Sequence, residues 1–148
     1  MITETMQVRI QKIRPDAVLP GYAHGPQEDA GMDLRAVEDV LLEPGKPKMV
    51  PTGLSVEVPR GYEAQVRPRS GLSLKHAIIM PNGPGTVDPG YRGEIRVILM
   101  NLGSEPYQIH AGDRIAQMIV ARYEAVEWVE SELAPSGRGT DGFGSSGR

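Results

Sequence analysis

Five short stretches of this chain carry the side chains that chemistry uses. Arg67-Pro68-Arg69-Ser70-Gly71-Leu72-Ser73 sets two guanidinium groups, a hydroxyl and a glycine at the head of a predicted helix. A helix N-terminus offers unpaired amides and the positive end of a dipole, arginine adds bidentate charge, and glycine lets an anion approach the backbone. An N-capped surface turn with solvated arginines accounts for the same residues. Asn82 to Gly93, NGPGTVDPGYRG, is too rich in Gly and Pro for a regular strand, yet it brings a carboxylate, Asp88, and an aromatic, Tyr91. A hairpin opened by such a loop presents main-chain donors and acceptors to a planar base edge. Asp88 can then act as a general base on water and Tyr91 can stack on a sugar or wall it off. The alternative is an Asp-Pro-Gly turn with a surface tyrosine.

Two further stretches are weaker. In Ala30-Gly31-Met32-Asp33-Leu34-Arg35 a single carboxylate lies between apolar residues, as a buried, hydrogen-bonded group or as one that touches a hydrated cation. In Gly112-Asp113-Arg114-Ile115-Ala116-Gln117, Arg114 and Gln117 read equally well as polar residues on a strand face. The fifth stretch, Ser136 to Arg148, holds the chain's one phenylalanine, Phe143, among five glycines and four Ser or Thr. Glycine makes such a stretch costly to order and gives Phe143 nothing to pack beside. The ring therefore covers something absent from the isolated chain, and the nearby amides, hydroxyls, Arg138 and Arg148 indicate an object flat at one end and anionic at the other. A nucleotide has that shape. Residues 142–147 match GxGxxG, but a Rossmann fingerprint needs a strand before it and a helix after it, and one residue follows. The local physics survives: small residues expose consecutive amides that can wrap phosphate oxygens.

The elements that must position these residues are mainly strands. Gly (18) and Pro (13) are abundant in the 148 residues, which disfavours long helices. Period-two alternation marks strands over 7–13, 54–58 and 63–67, with the last two expected to form a hairpin through Pro59-Arg60-Gly61-Tyr62. The apolar run 95–100 reads as a strand buried on both faces. Residues 108–110 lead through a turn at 111–113 into a strand over 114–120, and 126–129 reads as a late strand. One short helix is expected over 71–76 with Ser70 as N-cap. Many short strands with almost no helix indicate a sandwich, jelly roll or barrel. The expected organisation is a β core over 1–135 and a Gly/Ser-rich arm over 136–148.

Bulk composition closes off other classes. A net charge of −3 supplies no basic field for nucleic acid. The absence of cysteine excludes disulfides, thiolate metal sites and cysteine nucleophiles, and the three histidines are too scattered for a zinc site. No apolar run approaches the roughly 20 residues of a membrane span. The N-terminal stretch, with charges mixed into an alternating pattern, is unlike a signal peptide. A cytoplasmic protein without membrane or nucleic-acid partners is expected.

Taken in order, AGMDLRA at 30–36, RPRSGLS at 67–73, NGPGTVDPGYRGEI at 82–95, GDRIAQMI at 112–119 and RGTDGFGSSGR at 138–148 resemble the five motifs of the trimeric dUTPases. The resemblance implies a jelly-roll-like all-β subunit, a homotrimer with active sites at subunit boundaries, and hydrolysis of dUTP to dUMP and pyrophosphate with Mg2+. Such an activity limits dUTP and supplies dUMP for dTTP synthesis. By position, Asp88 is implied as the base for the attacking water. Asn82, with main chain near Thr86, Val87 and Arg96, is implied to read uracil, and Tyr91 to pack on the deoxyribose. Arg69, Ser70, Gly71 and Gln117 would hold phosphates, and Asp33 would meet the water shell of a metal held mainly by those phosphates. In the arm, Arg138 would reach the γ-phosphate, Phe143 would cover the base, and Gly144, Ser145 and Ser146 would complete the phosphate wrap. Two positions depart from the family pattern: Asp141 adds negative charge and is expected to weaken arm closure, and Gly83 is expected to loosen the hairpin. The competing readings are a dCTP deaminase, which resembles these enzymes but has a glutamate where this chain has Ile98, a non-catalytic nucleotide-binding regulator, and a capsid-like structural subunit.

Overall fold

The computed structural model describes residues 4–148. Among the described residues the elements are eleven strands and one helix: β1 (Arg9–Lys12), β2 (Met32–Arg35), β3 (Val40–Leu42), β4 (Lys48–Pro51), β5 (Leu54–Glu57), β6 (Tyr62–Arg67), α1 (Ser70–His76), β7 (Ile78–Ile79), β8 (Gly85–Val87), β9 (Arg96–Asn101), β10 (Tyr107–Ile109) and β11 (Arg114–Arg122). They form a four-stranded sheet, β2-β11-β6-β8, a three-stranded sheet, β4-β9-β7, and the pairs β1-β5 and β10-β3. Each named pair is antiparallel, and the whole is an all-β, jelly-roll-like sandwich. None of the described helices is long and apolar enough to cross a membrane.

Period-two burial builds the core. Leu54 and Val56 in β5, Ala64 and Val66 in β6, and Val97 and Leu99 in β9 turn inward and pack with Leu34, Leu42, Val50 and Ile115. The alternating polar residues face outward, as expected where a sheet has one covered side.

Several expectations are revised. Strand 63–67 does not pair with 54–58: β5 joins β1, while β6 lies between β11 and β8. Gly61 adopts φ +85 and the Tyr62 N–H donates to the Pro59 carbonyl at 3.1 Å, so the chain does reverse there. A turn sequence fixes the reversal but not the sheet in which the chain continues. Strand β9 is buried on one face, not two: Val97 and Leu99 are inside, but Arg96 is exposed and Ile98 half-buried beside Met49, its register partner, which is 57% exposed. Gly85–Val87 forms a strand despite its Gly-Pro context, through pairing with Ala64 to Val66. Residues 126–129 form no strand, and Val126, Trp128 and Val129 are exposed, because the chain leaves its last sheet partner at Arg122. The helix begins at Ser70 with Arg69 in the extended cap position and no side-chain cap bond, so Ser70 is not the N-cap. It ends at Ala77, left-handed at φ +54.

One buried polar residue ties the end of β9 to the end of β3 and to the loop that follows β9. Asn101, 1% exposed, donates through Nδ2 to the carbonyls of Leu42 at 3.0 Å and Glu105 at 2.7 Å, while its Oδ1 accepts from the Gly103 N–H at 2.8 Å. Asn101→Ala leaves these groups unpaired in a dry site, at a cost of roughly 2–4 kcal/mol. Thermal unfolding should show the midpoint lowered by about 10 °C; an unchanged midpoint would refute this role.

Candidate active site

The hairpin that carries Asn82 to Gly93 closes one side of a cavity of about 450 Å3. Asn82, Thr86, Val87, Tyr91 and Arg96 all line it, together with Ile98. Tyr91 is held over one end because its Oη donates to the Glu94 carbonyl at 2.8 Å. Gly93 makes that conformation possible, since a Cβ there would lie 2.6 Å from the Tyr91 Cζ. A donor- and acceptor-lined cleft with an aromatic wall suits a planar, sugar-linked ligand.

A second, more polar cavity of about 480 Å3 is lined by Asp33, Arg69, Ser70, Gly71 and Gln117. Arg69 reaches it from the entry to α1, and Asp33 and Gln117 come from neighbouring strands β2 and β11, where they are register partners. The Asp33 carboxylate is 20% exposed and lies between two guanidiniums, Arg69 Nε at 3.4 Å and Arg114 Nη1 at 3.7 Å. Arg69 Nη1 also donates to the Arg114 carbonyl at 3.3 Å, and Gln117 Nε2 donates to the Pro68 carbonyl at 3.0 Å. Gly31 leaves room for the Gln117 amide, for a Cβ there would collide with it. The result is a wall of fixed positive charge and amide donors around one carboxylate.

Ten of the predicted residues thus fall into two groups that do not merge within one chain, and six lie outside both. Asp88 lines neither cavity: it starts the turn Asp88–Tyr91, where the Tyr91 N–H donates to its carbonyl at 3.1 Å and Arg92 Nη1 donates to the Pro89 carbonyl at 2.6 Å. The tail residues Arg138, Phe143, Gly144, Ser145 and Ser146 line neither cavity. There the Arg138 Nε donates to the Asp141 carbonyl at 2.7 Å, tight turns form at 142–145 and 144–147, and Phe143 is fully exposed at φ +50.

As for a metal, no cluster of three or more His, Cys, Asp or Glu able to cage an ion occurs among the described residues. A lone, half-buried Asp33 beside an anion-friendly cleft fits Mg2+, which keeps several waters and takes few protein ligands alongside phosphate oxygens. Arg67, from the first candidate stretch, also borders the polar cavity, as do His24 and Asp29, which the sequence reading missed. The His24 N–H donates to Asp29 Oδ2 at 2.6 Å and the ring Nδ1 lies 3.0 Å from Oδ1, across a turn in which Gly25 has φ +99. A histidine, a glycine and an aspartate within six positions were the available signal.

The fold and its two cavities define a small all-β enzyme of jelly-roll type. Comparison with known proteins makes the class specific. A dUTPase family profile matches residues 20–147, and the chain belongs to that family. It is 72% identical over 148 residues to the deoxyuridine 5'-triphosphate nucleotidohydrolase of Solibacter usitatus, covering 100% of both chains. It is 48% identical over 143 residues to the enzyme of that name from Gloeothece citriformis, covering 96% of this chain and 97% of the other. Among solved structures, a variant of the Staphylococcus bacteriophage 80alpha dUTPase with dUpNHpp superposes with a TM-score of 0.85 at 27% identity, covering 97% of this chain and 100% of that one. A mutant dUTPase from phage phi11 of S. aureus, described with a structural Mg(II) ion, gives 0.79 at 25% identity over 86% and 98% of the chains.

The hydrogen bonds from the His24 main chain and ring lower the Asp29 pKa from its ordinary carboxylate value. With its folded pKa depressed, Asp29 supports this turn above the unfolded carboxylate pKa and loses that support as pH falls through the folded one. Carboxyl NMR titration should place the Asp29 midpoint below the ordinary aspartate range; a midpoint at or above it would contradict the contact.

Proposed function

We propose that this chain hydrolyses dUTP to dUMP and pyrophosphate, with Asp88 activating the water that attacks the α-phosphorus. One observation carries the reading. Within the β core, the residues that the family resemblance assigns to base and sugar line one cavity and those it assigns to phosphate and metal line the other, with Asp88 and the tail outside both. Such a partition is what a ligand with a flat end and a charged end requires.

Uracil would lie on the hairpin, with Asn82 and the main chain of Thr86, Val87 and Arg96 offering it a partner edge. Cytosine would leave those donors and acceptors unpaired, a penalty that reaches ~10⁴-fold in sites built this way. Thymine would be excluded by the space its methyl group needs. Tyr91, anchored through its hydroxyl, would pack on the deoxyribose and refuse a 2′-hydroxyl. Arg69, Ser70, Gly71 and Gln117 would receive the triphosphate in the polar cavity, which replaces water with fixed charge where negative charge develops. Mg2+, when bound, would neutralise phosphate charge and orient the chain of phosphates, with Asp33 accepting hydrogen bonds from its water shell. Asp88 would then take the proton from the attacking water as the new P–O bond forms and pyrophosphate leaves.

Since the two cavities stay separate in one chain, the reading assigns a complete site to neighbouring copies in a homotrimer, each lending a different cavity. The tail over 136–148 would close over it, with Phe143 on the base, Arg138 at the γ-phosphate and Gly144, Ser145 and Ser146 around the phosphates. Its exposed ring and short turns support that role, because a closing lid excludes water only when ligand gives it something to cover. Asp141 faces the phosphates as a departure that weakens closure. The activity would be cytoplasmic, limiting dUTP and supplying dUMP for dTTP synthesis.

Incubating the protein with each deoxynucleoside triphosphate and Mg2+ should release pyrophosphate from dUTP alone, and release from dCTP or dTTP at a similar rate would reject the reading. Asp88→Asn should lower kcat by roughly 10²- to 10⁴-fold with dUTP affinity kept; turnover near wild type would remove Asp88 from the base role. Truncation after Pro135 should cut turnover by at least ~10²-fold at an unchanged melting temperature. Unfolding of the truncated chain would make the tail structural instead.

A further inference from the structure

We infer that Glu94 is the positioning residue that holds the nucleoside cavity at its working width, an inference that rests on the dUTPase reading above. Its carboxylate is 12% exposed, and both of its oxygens are engaged. Oε1 accepts from Arg96 Nε at 2.9 Å and Oε2 accepts from the Gly53 N–H at 2.9 Å. The main-chain carbonyl of the same residue accepts from Tyr91 Oη at 2.8 Å. Glu94 therefore ties two residues that line the cavity, Tyr91 and Arg96, to a single point in the turn between β4 and β5.

That point is rigid. Gly53 adopts φ +71, and a Cβ there would meet Ala17 Cβ at 3.0 Å and Arg14 Cβ at 3.2 Å, so the turn is packed from outside. On either side of it, Thr52 Oγ1 donates to the Ile95 carbonyl at 2.6 Å and the Ile95 N–H donates to the Leu54 carbonyl at 2.8 Å. Hairpin and turn are thus joined at Ile95 by main-chain bonds with Thr52 and Leu54 and by the Thr52 hydroxyl, and by the charged group at Glu94. The main-chain bonds survive any substitution of Glu94. What the carboxylate adds is a second anchor: it fixes Arg96 directly, and it shares with the Ile95 N–H bond the hold on the peptide whose carbonyl lies under Tyr91.

A carboxylate can accept from Arg96 and from Gly53 at once, because every lone pair it presents is an acceptor. A glutamine cannot, since one of its two terminal atoms is a donor and would face either the guanidinium or the amide N–H. Glu94→Gln therefore releases one of the two ends while keeping size and fold. With the support of the Tyr91 hydroxyl loosened, the ring stands less firmly against a 2′-hydroxyl, and ground-state binding suffers more than the chemical step at Asp88.

The experiment measures kcat and KM for dUTP and UTP with full-length wild type, Glu94→Gln, Tyr91→Phe and the double variant. Glu94→Gln should raise KM for dUTP about tenfold, leave kcat within about twofold, and lower the preference for dUTP over UTP about tenfold. Tyr91→Phe, which removes only the hydroxyl that Glu94 receives, should move the same two quantities in the same direction. The double variant should be no worse than the more severe single one, as expected of groups acting as a unit. Multiplying effects, an unchanged KM and preference in Glu94→Gln, or an equal fall in kcat and in melting temperature without loss of preference would each overturn the inference. Should Glu94→Gln fail to fold, a Tyr91→Phe enzyme with wild-type preference would overturn it as well. A wild type that ignores dUTP would instead reject the functional reading on which it rests, whereas an active, discriminating wild type with unaffected variants rejects the inference alone.

Discussion

The register of β11 is the constraint on which the polar cavity depends. This strand lies between β2 and β6, so that Gln117 faces Asp33 on one side and Arg67 on the other. Ile115 and Ala116 are both buried although they are adjacent, because the pairing with β2 shifts by one residue between Arg114 and Ala116. A bulge of this kind resets which face each side chain occupies. Arg114 and Gln117, three positions apart, therefore both stay out of the core, and Asp33 meets Arg114 and Gln117 together. A one-residue slip would send the amide inward and bring Met118 out.

Charge then does the rest of the local work. Asp33 is neutralised by Arg69 and Arg114 without being sealed from solvent, and the arginines keep donors free for a further acceptor. A buried ion pair of the same residues would be costly to desolvate and would leave nothing for a ligand. In the other cavity the priority is reversed, with apolar walls from Met49, Val66 and Ile98 and a few main-chain groups that give direction. The chain therefore builds two contrasting environments, one apolar and one charged.

Much of this could be read from the residues before any coordinates, and the part that could not has a physical cause. Alternation at 54–58 and 63–67 located β5 and β6, since burial on one face imposes that pattern directly, and the turn at 111–113 located the start of β11. Pairing was less legible: the β5–β6 hairpin failed because Pro59-Arg60-Gly61-Tyr62 sets a reversal but not a sheet. The short strands β2, β3, β4, β7 and β8 leave no trace in the sequence pattern, because a few residues make no period and their pairing is long-range. For the site, the order of five motifs singled out Asn82, Tyr91, Arg69 and Gln117, whereas spacing alone left each open to a plain structural explanation. Glu94 and the His24–Asp29 contact escaped notice since their meaning lies in partners that folding brings together, such as Gly53 for Glu94.

The wet apolar side of the three-stranded sheet has a consequence for how this protein behaves in a tube. Met49 and Ile98, paired across β4 and β9, leave hydrophobic area uncovered that another surface would bury. Whatever binds that side binds only folded chains, so it adds free energy to folding through mass action. In the proposed homotrimer, a subunit seated on that side would make resistance to heat depend on concentration as well as on sequence, and dilution would weaken it.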